Sequence, residues 1–355
     1  MSPSRRQLLA GAALTPLAAG LPTAAAARPR ARLGVPDLSD GQVVRSVAGI
    51  RPFRRGGPRV ERQDLGGKIV VHNYGHGGAG YTLSWGSAVV AADLLRELPP
   101  DRHPVAVLGA GVVGLSTARV LQERGFHVRI YAREFPPHTT SDVAGAEWSP
   151  DIVERGATLA LQVQFDRMLV VSWRRFRALV GSRWGVAPRP IYEAEGVPSG
   201  LDDLPAGLLP APRTLASLPF APARSGRVYQ TLLIEAPVYL STLVDEVRRA
   251  GGVLEARTFS EPQALAQLQE AVIVNCLGFG AGAFLGDRAV VPIRGQLVHL
   301  RPQALPYLLD HPTGYLVPRR DALVVGGSFE EGIAEARTDE ATCARILAEN
   351  RRFFT

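Results

Sequence analysis

The feature that most constrains the fold is a strand–turn–helix pattern over residues 105–124. An apolar run at 105–108 is typical of a buried strand, and residues 115–124 have the composition of a helix. The turn between them carries the three glycines of a Gly-x-Gly-x-x-Gly pattern, Gly109, Gly111 and Gly114. The first glycine permits the bend, the second lets the backbone approach a pyrophosphate, and the third lets helix and strand pack closely. The N-terminus of the helix offers free N–H groups and partial positive charge to phosphates.

A second strand and an acidic residue follow at the spacing typical of dinucleotide binding. Residues 128–131 form an apolar run, and Glu134 stands twenty residues after Gly114, where that strand ends. A carboxylate at this position can hydrogen-bond a ribose diol, and Arg133 is the neighbouring alternative. The pattern predicts one βαβ half of a doubly wound α/β fold. A glycine-rich turn without a nucleotide is the alternative interpretation.

Hydrophobic periodicity predicts further elements on both sides of this unit. Pro99 to Pro104 forms a proline-rich break, and residues 196–224 are rich in Pro, Gly and Leu and predict a loop. Strands are expected at 42–48, 68–71, 271–275, 295–300 and 322–326, and helices at 83–98, 158–180, 237–250 and 340–350.

The first residues of the chain predict a targeting segment. The sequence SRRQLL at 4–9 is a twin-arginine pattern, and an apolar run at 8–21 and small residues at 24–27 follow it. This predicts export by the twin-arginine route to a periplasmic or extracellular location, with residues 1–32 serving as signal and linker. A disordered basic start is the alternative. The apolar run is short and interrupted, so no membrane span is expected in the mature chain.

Composition excludes several classes of partner and site. The net charge is +7, but residues 1–32 hold five arginines and no acid, which leaves +2 for the remainder and predicts no nucleic-acid binding. The two cysteines, Cys276 and Cys343, predict neither a disulfide framework nor a metal site. His72 and His76 have a metal-like spacing, but they flank a glycine-rich loop without an evident third ligand, so no metal is expected.

Five sequence blocks resemble the D-amino-acid oxidase family. They are GIRPFRRGGPRVE at 49–61, HNYGHGGAGYTLSWG at 72–86, TTSDVAGAEWSP at 139–150, VIVNCLG at 272–278 and IRGQ at 293–296. In that family the first two blocks close the chain, whereas here they precede the Gly-x-Gly-x-x-Gly turn. The blocks fall in family order when the chain is read 103–355 and then 35–98, an order that resembles a circular permutation.

The resemblance implies FAD as cofactor and a two-domain architecture. A doubly wound, Rossmann-type FAD-binding domain is expected from 58–98, 103–150 and 229–292. A mixed-sheet α+β substrate domain is expected from 35–57, 151–228 and 293–355. Glycines beside a flat ring leave backbone groups bare, and a hydroxyl at the start of the following helix suits the O2 edge of a flavin. Besides the three fingerprint glycines, the expected FAD-binding residues are Gly77, Gly78, Gly80, Tyr81, Thr82, Arg133, Glu134, Thr139, Thr140 and Trp148.

The resemblance also implies the catalytic residues. Arg51 matches the family arginine that binds the substrate carboxylate with two parallel hydrogen bonds. Tyr315 matches a tyrosine that bonds the same carboxylate, and the Gly78 carbonyl matches the acceptor for the substrate amine. Without the flanking matches, a surface arginine and a core tyrosine would be the simpler interpretations.

The implied reaction is FAD-dependent oxidative deamination of D-amino acids to 2-oxo acids, ammonia and hydrogen peroxide. A hydride passes directly to the flavin, and dioxygen is the final acceptor. Phe329 matches the branch that accepts neutral side chains. His311 and Ser149 replace a second tyrosine and a glutamine, and a short segment at 308–314 predicts an open site. A related amine or glycine oxidase and an exported flavin-binding protein without turnover are the alternatives. A homodimer is one assembly compatible with the sequence.

Overall fold

Two β-sheets, each assembled from distant parts of the chain, organise the molecule. The computed structural model describes residues 32–221 and 223–355, so the predicted targeting segment lies outside the described residues. The strands are β1 (Val43–Arg54), β2 (Arg59–Leu65), β3 (Lys68–Tyr74), β4 (Val105–Leu108), β5 (Val128–Ala132), β6 (Val186–Ala194), β7 (Arg213–Leu215), β8 (Gly226–Ile234), β9 (Val253–Ala256), β10 (Val272–Asn275), β11 (Val290–Leu300), β12 (Leu308–His311), β13 (Gly314–Pro318), β14 (Leu323–Gly326) and β15 (Glu330–Glu331). The α-helices are α1 (Gly80–Asp93), α2 (Val112–Glu123), α3 (Thr140–Val143), α4 (Leu159–Ala178), α5 (Ala236–Arg249), α6 (Gly280–Leu285) and α7 (Glu340–Phe354).

The first sheet is the doubly wound sheet that the glycine fingerprint predicts. Its strand order is β2-β3-β10-β4-β5-β9, and all neighbours are parallel except β2 and β3. Strands β4 and β10 are buried along their whole length, as continuous apolar runs in a parallel sheet should be. The βαβ unit predicted over 105–131 is confirmed as β4, α2 and β5.

The second sheet is mixed. Its strand order is β1-β11-β14-β13-β12-β6-β8-β7, and β15 adds to β11. All pairs are antiparallel except β12 with β6. The longest pairing joins β1 to β11 and sets Gly49 opposite Gly295. Together the two sheets confirm the predicted combination of a doubly wound α/β sheet with a mixed sheet.

Helix α1 is buried on nearly every side and packs against both α2 and α4. The backbones of α1 and α4 approach closely because position 86 is a glycine. A Cβ at Gly86 would lie 1.9 Å from the Met168 carbonyl oxygen of α4. The sequence predicts this helix at 83–98, but it begins at Gly80 and ends at Asp93. Its buried surface lacks the amphipathic pattern that marks a boundary, because tertiary packing covers all of its faces.

The two ends of the described chain lie side by side. The Arg351 Nε of α7 donates a 2.6 Å hydrogen bond to the Leu38 carbonyl, and Arg351 also pairs with Asp40. Residues 33–355 form one compact unit, so the division into an FAD-binding and a substrate domain stays a prediction. None of the helices in residues 32–221 and 223–355 has the length and apolar character needed to cross a bilayer.

Candidate active site

A cavity of about 1450 Å³ brings residues from the start, middle and end of the described chain together. This volume exceeds the roughly 300–1,000 Å³ of ordinary small-molecule pockets, so it suits a large cofactor together with a substrate. The sequence-predicted site residues on its wall are Arg51, Gly77, Gly78, Gly80, Tyr81, Gly109, Gly111, Gly114, Arg133, Glu134, Thr139, Thr140 and Tyr315.

The fingerprint glycines meet the steric requirements that the motif implies. Gly109 has a φ of +107°, and a Cβ there would lie 2.3 Å from the Cys276 carbonyl oxygen. A Cβ at Gly114 would lie 2.0 Å from the Gly109 carbonyl oxygen. The first glycine therefore permits the turn against β10, and the last lets α2 pack on β4. Gly111 is the N-cap residue of α2, so the N-terminus of this helix opens at the cavity wall.

The two candidates for ribose binding stand just after β5. The Arg133 Nε atom lies 3.6 Å from Glu134 Oε1, and the two side chains are 74% and 50% exposed. Such an exposed pair contributes little to stability, so both side chains are available to a ligand in the cavity.

The three hydroxyl residues at 139–141 have different roles: Thr139 and Ser141 form hydrogen bonds within the protein, and Thr140 is exposed. Thr139 forms a capping box with Asp142, and its Oγ1 donates to that carboxylate over 2.7 Å. Thr140 is exposed on the cavity wall. Ser141, which sequence reasoning did not single out, accepts a 3.0 Å bond at Oγ from the Val112 backbone and a 2.9 Å bond at its carbonyl from the Tyr81 hydroxyl. Ser141 thus ties this segment to the first turns of both α1 and α2.

The glycine-rich loop before α1 is held against residues 151–152. The Gly78 backbone N–H donates to the Ile152 carbonyl oxygen over 3.0 Å. A Cβ at Gly77 would lie 2.0 Å from that oxygen, and one at Gly78 would lie 2.8 Å from the Asp151 carbonyl oxygen. Both positions require glycine for space. Gly80 does not, because its Cβ would make only an ordinary 3.7 Å contact with Val112.

Two predicted cofactor residues, Thr82 and Trp148, do not line the cavity. The Thr82 hydroxyl donates to the Ser149 carbonyl over 2.7 Å and accepts from the Ser149 N–H over 3.1 Å. Trp148 is fully buried, with its ring centroid 4.7 Å from that of Trp173. Both residues fix the 139–150 segment from behind the cavity wall. No local sequence signal distinguishes such a supporting residue from one that contacts the cofactor directly.

Arg51 and Tyr315 lie together on the cavity wall, and glycines make room for both. A Cβ at Gly295 would lie 2.3 Å from the Arg51 Nη1 atom, and one at Gly326 would lie 2.0 Å from the Tyr315 ring. Arg51 is partly buried and donates to the Ser328 carbonyl over 3.2 Å. In residues 32–221 and 223–355 it forms no salt bridge, so its charge is available to an anion.

The Tyr315 hydroxyl is a hydrogen-bond donor at any ordinary pH. Burial raises the pKa of Tyr315 to about 12, although the nearby Arg51 charge opposes the increase. A protonated phenol beside a guanidinium is suited to a carboxylate, which accepts bonds from both.

Burial favours the neutral form of the histidines of this region. Burial lowers the pKa of both His72 and His76 to about 4. His72 bonds Gln63 over 2.9 Å, and His76 reaches the cavity wall with an unpaired, buried Nε2. No group of three or more His, Cys, Asp or Glu residues in the described part of the chain is arranged to hold a metal ion. His311 also lies on the cavity wall but bonds Asn350 over 2.8 Å and stacks on Phe353.

Three of the carboxylic acids on the cavity wall have raised pKa values, a feature that sequence reasoning missed. They are Glu147, Asp151 and Asp310. Burial raises the pKa of all three, and the negative charges of neighbouring acids raise that of Asp310 further. No spacing in the sequence connects them, because the sheet register alone places Asp310 beside the site.

Comparison with known proteins places the chain in a family. The family profile "DAO: FAD dependent oxidoreductase" matches residues 3–94 and 104–355. The chain is 35% identical over 269 residues to a D-amino-acid oxidase of Rubrobacter xylanophilus, covering 68% of this chain and 74% of the relative. It is 32% identical over 263 residues to a D-amino-acid oxidase of Streptomyces coelicolor, covering 71% and 78%.

Solved structures agree on the fold. A glycine oxidase from Bacillus cereus matches with a TM-score of 0.53 and 16% identity, covering 71% of this chain and 78% of that one. At that identity the likeness establishes the architecture alone. The profile match over most of the sequence and the relatives above 30% identity show that the chain belongs to the DAO family of FAD-dependent oxidoreductases.

Proposed function

We propose that the chain oxidises D-amino acids to 2-oxo acids, with release of ammonia and hydrogen peroxide. FAD is the redox cofactor, and dioxygen is the electron acceptor. The observation that carries the proposal is the shared cavity. Arg51 and Tyr315 reach the same space as the glycine turn at 109–114, although they lie far apart in sequence. The D-amino-acid oxidases among the relatives support the same reaction.

The residues present fit FAD. Side chains are excluded at Gly77, Gly109 and Gly114, so bare backbone faces the cavity where a flat or phosphorylated group must approach closely. The N-terminus of α2 would hold the pyrophosphate, and Glu134 or Arg133 would hold the ribose. When bound, FAD supplies the acceptor for the hydride that leaves the substrate Cα.

The protein's contribution is to orient the substrate. Arg51 binds its carboxylate with two parallel bonds, and the Tyr315 hydroxyl donates to the same group. The Gly78 carbonyl accepts from the amine. These contacts fix the Cα–H direction, so the oxidation requires no side-chain base at that carbon. The imino acid then hydrolyses in water to the 2-oxo acid and ammonia.

Stereospecific peroxide formation tests the proposal. Purified FAD-loaded protein is assayed with D- and L-enantiomers of alanine, methionine and arginine. Peroxide with D-isomers alone supports it, whereas peroxide with L-isomers, or with none of the amino acids, refutes it. Arg51→Ala should cost about 2–5 kcal/mol of substrate binding, because it removes one partner of a desolvated charge pair. The exposed Arg62 supplies a control, Arg62→Ala, that should not change the apparent affinity.

We also propose that the chain is exported by the twin-arginine route, on the strength of the SRRQLL sequence at 4–9. Replacing Arg5 and Arg6 together by lysine should retain the enzyme in the cytoplasm. Equal amounts of the wild-type protein and of the double lysine variant outside the cytoplasm would contradict this proposal.

The rearranged order of the family blocks is a further part of the proposal. Contact between Arg351 and residues 38–40 supports it, because the segment that ends the chain adjoins the one that would follow it in family order. A variant with residue 355 joined to residue 33 and new ends at the 99–103 break should fold and bind FAD. Insolubility of that variant would count against it.

A further inference from the structure

We propose that this active site prefers D-amino acids whose side chain carries a positive charge, with Glu147 and Asp310 as the residues that recognise it. The inference rests on the proposed oxidase function and names its substrate class. It departs from the expectation of neutral side chains, which considered Phe329 alone. Phe329 is 58% exposed and reaches the cavity wall.

Sheet register places Asp310 beside the substrate-binding tyrosine. Asp310 on β12 pairs directly with Tyr315 on β13. Residues directly opposite in an antiparallel pair have their side chains on the same face, and both residues line the cavity. The carboxylate therefore stands next to the position where Arg51 and Tyr315 would hold the substrate carboxylate.

Glu147 and Asp310 are partly buried, and each has carboxylate oxygens that are not paired within the described residues. Glu147 Oε2 is buried without a hydrogen-bond partner, and in the described part of the chain no hydrogen bond or salt bridge reaches the Asp310 carboxylate. Asp151 differs, because it accepts a 2.8 Å bond from the Gly200 backbone. A desolvated carboxylate without a partner is costly, and a cationic ligand would relieve that cost at Glu147 and would supply a partner for Asp310.

The charges that act on Asp310 complement a cationic amino acid. The charge of Arg51 opposes the increase in the pKa of Glu147, yet the two form no salt bridge in the described part of the chain, so the guanidinium remains for the substrate carboxylate. The pKa of Asp310 is raised by burial and by the negative charges of Glu147, Asp151 and Glu193. Glu193 is already paired with Arg227. A positive side chain would meet this negative field, whereas an acidic one would be repelled.

D-arginine and D-citrulline form the discriminating pair, since they have the same length and differ chiefly in the charge of the terminal group. With the FAD-loaded enzyme we expect kcat/KM for D-arginine to exceed that for D-citrulline at least about tenfold, the difference between a charge-assisted and a neutral hydrogen bond. Glu147→Gln and Asp310→Asn should each lower kcat/KM for D-arginine about tenfold and change it little for D-citrulline. Asp64→Asn, at a carboxylate whose side chain is 74% exposed, is the matched control.

The outcomes separate this inference from the proposed function. Equal or better turnover of D-citrulline than of D-arginine overturns the inference and leaves the oxidase intact. An equal loss for both substrates in both variants also overturns it, because the acids would then serve the α-amine or the fold. The flavin absorbance and the melting temperature of each variant show whether it is folded. Absence of peroxide with every D-amino acid overturns the proposed function itself.

Discussion

Replacing Gly295 by alanine should damage catalysis while sparing the fold. Gly295 lies on β11 under the Arg51 guanidinium, and a Cβ there would approach Nη1 to 2.3 Å and the central carbon to 2.6 Å. The colliding atoms belong to the far end of a flexible side chain, so the strain can be relieved by moving the guanidinium. No backbone needs to shift.

The size of the effect follows from the distance. Ordinary contact begins near 3.4 Å, so the guanidinium must move by about 1 Å, a misplacement that can cost about 100-fold in rate. We therefore expect kcat/KM to fall about 100-fold, while the free energy of unfolding changes by less than about 1 kcal/mol.

Steady-state peroxide assays and urea unfolding of the FAD-loaded protein measure the two quantities. Gly41→Ala is the matched control, because a Cβ at Gly41 would meet nothing within 4 Å. Wild-type kcat/KM in Gly295→Ala would refute the assignment of Arg51 to the substrate carboxylate. A large loss of stability would refute the claim that only a side chain must move.

Three further predictions concern single groups. Tyr315→Phe should weaken substrate binding about tenfold, and since burial raises the pKa of Tyr315 to about 12, its ionisation should leave no inflection in wild-type kinetics between about pH 7 and 10. Gly114→Ala places a Cβ 2.0 Å from a backbone carbonyl, so it should lower both the melting temperature and the flavin-to-protein absorbance ratio; wild-type values for both would contradict this. Burial lowers the pKa of His72, His76 and His299 to about 4, so between pH 6.5 and 4 the unfolded chain binds protons that the folded chain does not. Stability should be complete above pH 6.5 and fall by about 2 kcal/mol per histidine at pH 5; urea unfolding at both pH values, with His299→Gln reducing the fall, measures this.

The parts of the fold governed by local sterics were predictable from sequence. The fingerprint glycines and the apolar runs of β4 and β10 specify their own conformations, because a tight turn and a fully buried strand restrict which residues are allowed. Strands β6 and β8 were not predicted. Their burial patterns mix buried, partly buried and exposed positions without regular alternation, since their pairing rather than their composition defines them.

The candidate site divides in a similar way. Family resemblance, rather than periodicity, pointed to Arg51, Tyr315 and Gly78, and the structure brings all three to one cavity. Thr82 was assigned to the cofactor because a hydroxyl at a helix start is a donor. In the structure that hydroxyl hydrogen-bonds the backbone of Ser149 instead. The partner of a short polar side chain depends on a segment 67 residues away, which no local pattern encodes.

Strand order in the doubly wound sheet has a consequence for biosynthesis. β10 lies between β3 and β4 and pairs with both, although the ribosome makes it about 200 residues after β3. The centre of this sheet therefore cannot close until residues 272–275 have emerged, so the apolar strands β3 and β4 each wait with one edge unpaired for most of translation. Early-synthesised apolar surface of this kind is prone to aggregation, which makes this chain a candidate for chaperone dependence during its synthesis.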